Sequence, residues 1–197
     1  MTVREGRVVL LDEAGAQVGT AAEAAVHTSA TPLHLAFSAY VIDLEGQVLV
    51  GRRARWKSTW PGVWTNSCSG HPCPGENLPT AVARRVDEVL GIIPADITLI
   101  LPDFRCRTVL KSGIVENSIC PVYRVTVHTR LARPDPDEVE TLAWIPWTAL
   151  VARAGDDARS LTPCCREQVR RLRLLGPDPR SWRASPNSGL PPAARTA

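Results

Sequence analysis

The chain has 197 residues, 23 of them Lys or Arg and 20 Asp or Glu, for a formal charge of +3. That length suits one domain, and so balanced a charge does not by itself imply a nucleic-acid platform. With 44% hydrophobic and 22% charged residues, neither a wholly disordered nor a fibrous chain fits. No apolar run reaches the roughly 18 residues of a membrane helix, and no signal-like apolar region opens the chain. The expectation is a soluble, cytoplasmic protein with no integral membrane segment and no nucleic-acid partner. Any anion it binds is small.

In chain order, Arg7 to Leu11 reads as a strand entering a turn at Asp12-Glu13-Ala14-Gly15. Leu33–Ile42 and Gln47–Arg53 are β-rich runs joined by Asp43-Leu44-Glu45-Gly46, the pattern of a hairpin. Between Asn77 and Leu90 the apolar residues Ala81, Val82, Val86, Val89 and Leu90 recur at helical spacing, with Asn77 as cap and Gly91 as stop. Ile97–Arg107, Ile114–His128 and Glu138–Trp144 read as strands, and Pro146–Ala154 and Pro163–Leu175 as helices. The order lacks the regular alternation of a doubly wound sheet. From Gly176 the composition turns to Pro, Ser, Arg and Ala. The division expected is a folded domain over residues 1–175 and a disordered tail over 176–197.

Cys68, Cys73, Cys106, Cys120, Cys164 and Cys165 include no Cys-x-x-Cys pair. The expectation is reduced thiols, with Cys164 and Cys165 two ordinary thiols and not a zinc-ribbon element.

The densest information lies between Trp56 and Gly91. Gly70-x5-Glu76-x7-Arg84 resembles the start of a Nudix box, the loop-helix-loop that holds a metal against a diphosphate. With its flanks the resemblance sharpens. Leu33-His34-Leu35-Ala36-Phe37-Ser38, Trp60-Pro61-Gly62-Val63-Trp64-Thr65-Asn66-Ser67, Pro102-Asp103-Phe104-Arg105 and Gly113-Ile114-Val115-Glu116-Asn117 together resemble type I isopentenyl diphosphate isomerase over about residues 3–173. The resemblance implies an α/β (α+β) fold with a Nudix-like mixed β-sheet core flanked by helices. It implies a divalent metal, Zn, Mn or Mg, on His27, His34, His71 and Glu116, with Ser118 where the family has a second glutamate. Neutral imidazoles with one carboxylate suit such an ion. His128 has no matching context and reads as exposed. Arg53, Lys57 and Arg85 stand at family positions that contact the diphosphate of a small prenyl substrate. Glu23 replaces a family lysine. Val89 replaces the glutamate that holds a second ion, Mg, against the diphosphate, and neighbouring Glu88 points about 100° away on the helix.

The family interconverts isopentenyl and dimethylallyl diphosphate by moving protons on and off an alkene. It uses a cysteine, a glutamate, a tyrosine and a tryptophan. This chain has Ser69, Ser118, Cys106 and Cys164 at those places. On an extended segment Ser69 shares a side with His71, and Cys68 faces away. Cys68 reaches the pocket only through a bulge. All four replacements reduce volume, and a vacated core position leaves a cavity unless something fills it. The leading expectation is a widened pocket that performs proton-initiated carbocation chemistry, terpene cyclisation or double-bond migration, on a prenyl diphosphate larger than C5. The proton source stays open among Cys106, Asp103, Glu116 and a water acidified by the ion. The alternatives are an ordinary C5 isomerase using Cys68 or another acid, a prenyl-diphosphate binder without catalysis, and a diphosphate hydrolase. The sequence does not fix the oligomeric state.

Overall fold

A computed structural model describes residues 6–156 and 160–195. The expected first strand is β1 (Arg7–Leu11), and it pairs with a strand the sequence did not announce, β2 (Gln17–Ala22). A one-turn helix, α1 (Glu23–Val26), follows.

Three runs that read as single strands are each divided between two sheets. Leu33–Ile42 becomes β3 (His34–Leu35) and β4 (Phe37–Ile42). Ile97–Arg107 becomes β8 (Asp96–Leu101) and β9 (Arg105–Val109), and Ile114–His128 becomes β10 (Val115–Ile119) and β11 (Val122–Thr126). Pro121 cannot donate to a ladder, and its carbonyl instead accepts from Ser38 N at 3.0 Å, while Ala36 N reaches Ile119 O at 2.9 Å. The first sheet has the order β2-β1-β3-β10-β9, with β3 and β10 parallel.

The second sheet runs β12 (Val139–Pro146), β5 (Gln47–Arg53), β4, β11, β8, with β4 and β11 parallel. The β4–β5 hairpin closes at Ile42 opposite Val48, its turn held by the Asp43 carboxylate, which accepts from Gln47 N at 2.7 Å. Beyond that pair it opens. Short strands β6 (Trp64–Thr65) on β5 and β7 (Cys68–Gly70) on β4 enter the gap. Ser67 ties the gap, its hydroxyl accepting from Val41 N at 2.7 Å.

Strand β4 is buried along its whole length, as a strand covered on both faces should be. Phe37, Ala39 and Val41 pack under α2 (Leu78–Leu90) together with Val82, Val86 and Leu90. Tyr40 and Ile42 pack on the other face, under α3 (Trp147–Asp156) and α4 (Pro163–Leu172), with Leu150, Val169 and Leu172. Helix α2 begins and ends where its sequence says. Asn77 Oδ1 accepts from Thr80 N at 2.9 Å, and Gly91 stops the helix at φ 62°, a conformation that favours glycine.

The segment after Gly176 corrects the expected disorder. Trp182 is 3% exposed and packs edge-to-face on Trp147, ring centroids 4.9 Å apart. Arg124 donates to the carbonyls of Arg180 and Trp182 at 2.9 Å each, Ser185 N donates to Leu99 O at 2.8 Å, and Ala193 N donates to Gly15 O at 3.0 Å. The composition hid this because two apolar anchors, Trp182 and Leu190, suffice to fix a segment whose other residues are polar. Among the described residues no helix is long and apolar enough to cross a membrane.

The cysteines bring a second correction. Cys106 and Cys164 form a disulfide, Cα atoms 5.7 Å apart, and Cys68, Cys73, Cys120 and Cys165 are free. Residues 58 apart in sequence meet because β9 and the start of α4 lie side by side.

Candidate active site

The strand divisions deliver His34, Cys106, Glu116 and Ser118 to one sheet, where Ser118 stands opposite both His34 and Cys106. Strand β7 delivers Ser69 from the other. These residues line one cavity of about 360 Å³, together with His27, His71 and Cys164.

His27, His34 and His71 converge, with ring centroids 5.1 to 5.8 Å apart. Each can place a ring nitrogen in a mutual cluster within 4.8 Å. The Pro32 carbonyl accepts from His34 Nδ1 at 3.0 Å, and the Glu23 carboxylate accepts from His71 Nδ1 at 2.9 Å. Such outer partners fix the tautomer and leave Nε2 unprotonated for a ligand. Burial pushes the pKa of both His27 and His34 down to about 4, so these rings are neutral near pH 7. Three convergent imidazoles, two of them oriented by outer partners, fit a divalent ion.

Glu116 is not brought into that trio. It clusters instead with Cys106 and Cys164, its Oε2 3.4 Å from Cys164 Sγ. Three of the four ligands implied by resemblance thus form one close group, and the fourth, Glu116, lines the same cavity beside them. Burial raises the Glu116 pKa, against the opposing pull of Arg53.

Arg53, Lys57 and Arg85 all line this cavity. Arg53 is held by Thr59, donating from Nε to its carbonyl at 2.8 Å and from a terminal nitrogen to its hydroxyl at 2.9 Å. Lys57 and Arg85 share Glu138, at 2.8 and 3.4 Å. Glu138 holds the two cations together. Sequence reasoning did not single out Glu138.

Ser69 faces the cavity and Cys68 does not. Cys68 is 4% exposed and packs in the core under α2, because β7 is regular and pairs Ser69 with Ser38. Burial pushes the Cys68 thiol up to about 12. Cys68 is thereby corrected as a proton donor. Asp103 is exposed and off the cavity wall, and His128 is exposed as expected. Val89 is buried, and Glu88 pairs outward with Arg84 and Arg85 at 3.3 and 2.9 Å. Glu76 and Arg84 of the Nudix-like motif clasp each other at 2.8 Å, so they pin the loop to α2.

A set of polar contacts that the sequence reading missed lies at the floor, with Ser38, Asn66, Ser69 and Gln168 on the cavity wall and Tyr40 buried behind them. Tyr40 donates to Gln168 Oε1 at 3.0 Å, Gln168 Nε2 donates to Ser38 at 2.9 Å, and Asn66 Nδ2 donates to Ser69 at 3.0 Å. The signal for Gln168 was present. Cys165, Gln168, Val169 and Leu172 form the apolar stripe of α4, and a polar residue at a core position needs a polar partner. Trp60 is held at φ 50°, and its buried indole N–H, though it makes no hydrogen bond of ordinary geometry, faces the Glu116 carboxyl and favours its ionised form. It lies on the cavity wall, where a bound ligand could accept from it.

A NUDIX domain model matches residues 32–164. An isopentenyl-diphosphate Delta-isomerase of Saccharopolyspora erythraea is 46% identical over 95% of this chain and 96% of its own length. One of Rhizobium rhizogenes is 44% identical over 96% and 90% respectively. The solved structure of DR0079 from Deinococcus radiodurans superposes with a TM-score of 0.65 over 84% of this chain and 98% of that one, at 20% identity. That likeness speaks for the fold alone. With motif, fold and relatives in agreement over most of its length, the chain belongs to the type I isopentenyl-diphosphate isomerase family of NUDIX-domain proteins.

Proposed function

We propose that this protein is a metal-dependent isomerase that interconverts isopentenyl and dimethylallyl diphosphate. The observation that carries the reading is the meeting of an imidazole trio and three basic side chains on one cavity of about 360 Å³. Small-molecule pockets span about 300–1,000 Å³, so this volume favours a short prenyl chain. The names of the relatives point the same way.

Arg53, Lys57 and Arg85 bind the diphosphate and set its orientation. His27, His34 and His71 hold the divalent ion, Zn or Mn suiting imidazoles better than Mg, and Mg can accompany the diphosphate. The ion supplies fixed positive charge to the pocket when bound. Of the carboxylates on the wall, Glu23 and Glu138 are paired with His71 and with Lys57 and Arg85, whereas burial raises Glu116 toward its protonated form. Glu116 gives its proton to the terminal alkene carbon, producing the tertiary cation. Its carboxylate then takes a proton from the adjacent methylene on the diphosphate side. Trp60 and Phe37 line the cavity, and their π faces shelter the cation. Ser69 and Ser118 position the substrate and do not titrate.

A second reading, chemistry on a prenyl diphosphate larger than C5, has one observation in its favour. The four family positions carry the small residues Ser69, Cys106, Ser118 and Cys164. Against it, the two sulfurs are bonded together and Ser69 is engaged by Asn66, so the floor is occupied and polar.

Incubation with C5, C10, C15 and C20 diphosphates in Zn, Mn or Mg, with products identified by mass spectrometry, decides between them. Dimethylallyl diphosphate formed by the wild type and lost in Glu116→Gln supports the proposal. Products from C10 or longer chains alone overturn it in favour of the second reading, and thermal stabilisation by C5 diphosphate without product makes the protein a binder.

A further inference from the structure

Two of the small residues in the pocket are cysteines, and they meet. Cys106 comes from β9, Cys164 from the first turn of α4, and Glu116 from β10, so three separate elements converge on one wall of the cavity. One donor atom from each lies within 4.8 Å of the others, and the imidazole trio forms a different cluster. Two ligands on one ion with bonds of about 2.3 Å are at most about 4.6 Å apart, and about 3.8 Å apart in a tetrahedral site. Bonded to each other the sulfurs are too close to share an ion, and reduction frees them to move to that spacing beside the carboxylate. Two thiolates and a carboxylate form a soft, anionic set, unlike the imidazoles next to it.

We propose that Cys106, Cys164 and Glu116 form a second cation site, for a thiophilic divalent ion such as Zn²⁺, which the disulfide closes and reduction opens. In the closed state each sulfur is committed to the other and neither can ligate. A dithiol opens it by exchange. One thiolate of the reductant attacks a disulfide sulfur, a mixed disulfide forms, and the second thiol closes on the first. The reductant leaves as its own disulfide after giving two electrons, and two protons end on Cys106 and Cys164. The ion then binds with release of both thiol protons. Glu116 completes a three-protein-ligand site whose fourth position faces the cavity. The site also couples to the isomerase reading, since an ion on Glu116 removes the carboxyl assigned to proton transfer there.

Cobalt(II) is the probe, because thiolate ligation gives a near-ultraviolet charge-transfer band that imidazole ligation does not. The full chain is reduced with dithiothreitol, desalted anaerobically and titrated with cobalt(II), beside the air-oxidised chain. The expected result is a saturable charge-transfer band in the reduced chain only, with one more cobalt bound per chain after reduction. The band is lost in reduced Cys106→Ser and in reduced Cys164→Ser, with far-UV circular dichroism verifying that each variant is folded. A reduced wild type without the band overturns the proposal, and so does a band of undiminished strength in both serine variants, which assigns it to other thiols. The readout needs no turnover, so its failure and a failure to isomerise C5 diphosphate are separate results.

Discussion

Replacing Trp182 with Ala tests whether the C-terminal segment is part of the fold. The indole is 3% exposed, its ring meets Trp147 at 4.9 Å, and its N–H donates to Gly176 O at 3.2 Å. Truncating a buried Trp to Ala costs about 3–5 kcal/mol, including the cavity left behind. The lost edge-to-face pair contributes about 0.5–1.5 kcal/mol of that. In a chain of this size each kcal/mol lowers Tm by about 2–4 °C, so the variant melts about 6–20 °C below wild type. Urea unfolding followed by tryptophan fluorescence should give the same destabilisation with an unchanged slope. The loss propagates to the pocket, because Trp147 and Trp182 share a packed cluster with Cys165 and Val169 of α4, the helix that carries Cys164 and Gln168. A variant within about 0.5 kcal/mol of wild type, the range of an ordinary surface substitution, would refute the reasoning and return the tail to the dispensable segment its composition suggested.

Two further outcomes follow from the site. With its thiol pushed up to about 12, Cys68 is only about one part in ten thousand thiolate at pH 8. Iodoacetamide should therefore label Cys73 well before Cys68, with Cys68 labelling rising as pH increases toward 12, as peptide mass spectrometry would show; comparable rates at pH 8 would contradict the buried placement. Cys68→Ala should accordingly keep its activity. Glu23→Ala removes the acceptor that orients His71 and should weaken zinc binding about 10–100-fold, with Glu23→Gln restoring part of it; a chelator competition that finds equal affinities would remove Glu23 from the site.

Several features were legible in the residues alone. Helix α2 announced itself through Asn77, its apolar stripe and Gly91, and the opposite facing of Ser69 and Cys68 followed from strand parity. Glu116 and Ser118, two residues apart on β10, share a face by the same rule, and both line the pocket. Other features were not legible. Leu33–Ile42 and Ile114–His128 read as unbroken strands because periodicity records which way a side chain points and not which sheet the strand pairs with. Gln168 sat in plain view at a core position of α4, but its partners Tyr40 and Ser38 lie about 130 residues away.

What the sequence determined by itself was the set of local tendencies and the chemical inventory: histidines, basic residues and a diphosphate-family motif, at spacings fixed by the chain. Only the tertiary structure decided which members of that inventory touch. It joined Cys106 to Cys164, drew Glu116 to their side of the pocket, gave Glu138 to two cations and buried Trp182. Each of these is a long-range pairing, determined by how sheets and helices pack once the chain has closed on itself, and a one-dimensional pattern carries no term for that distance.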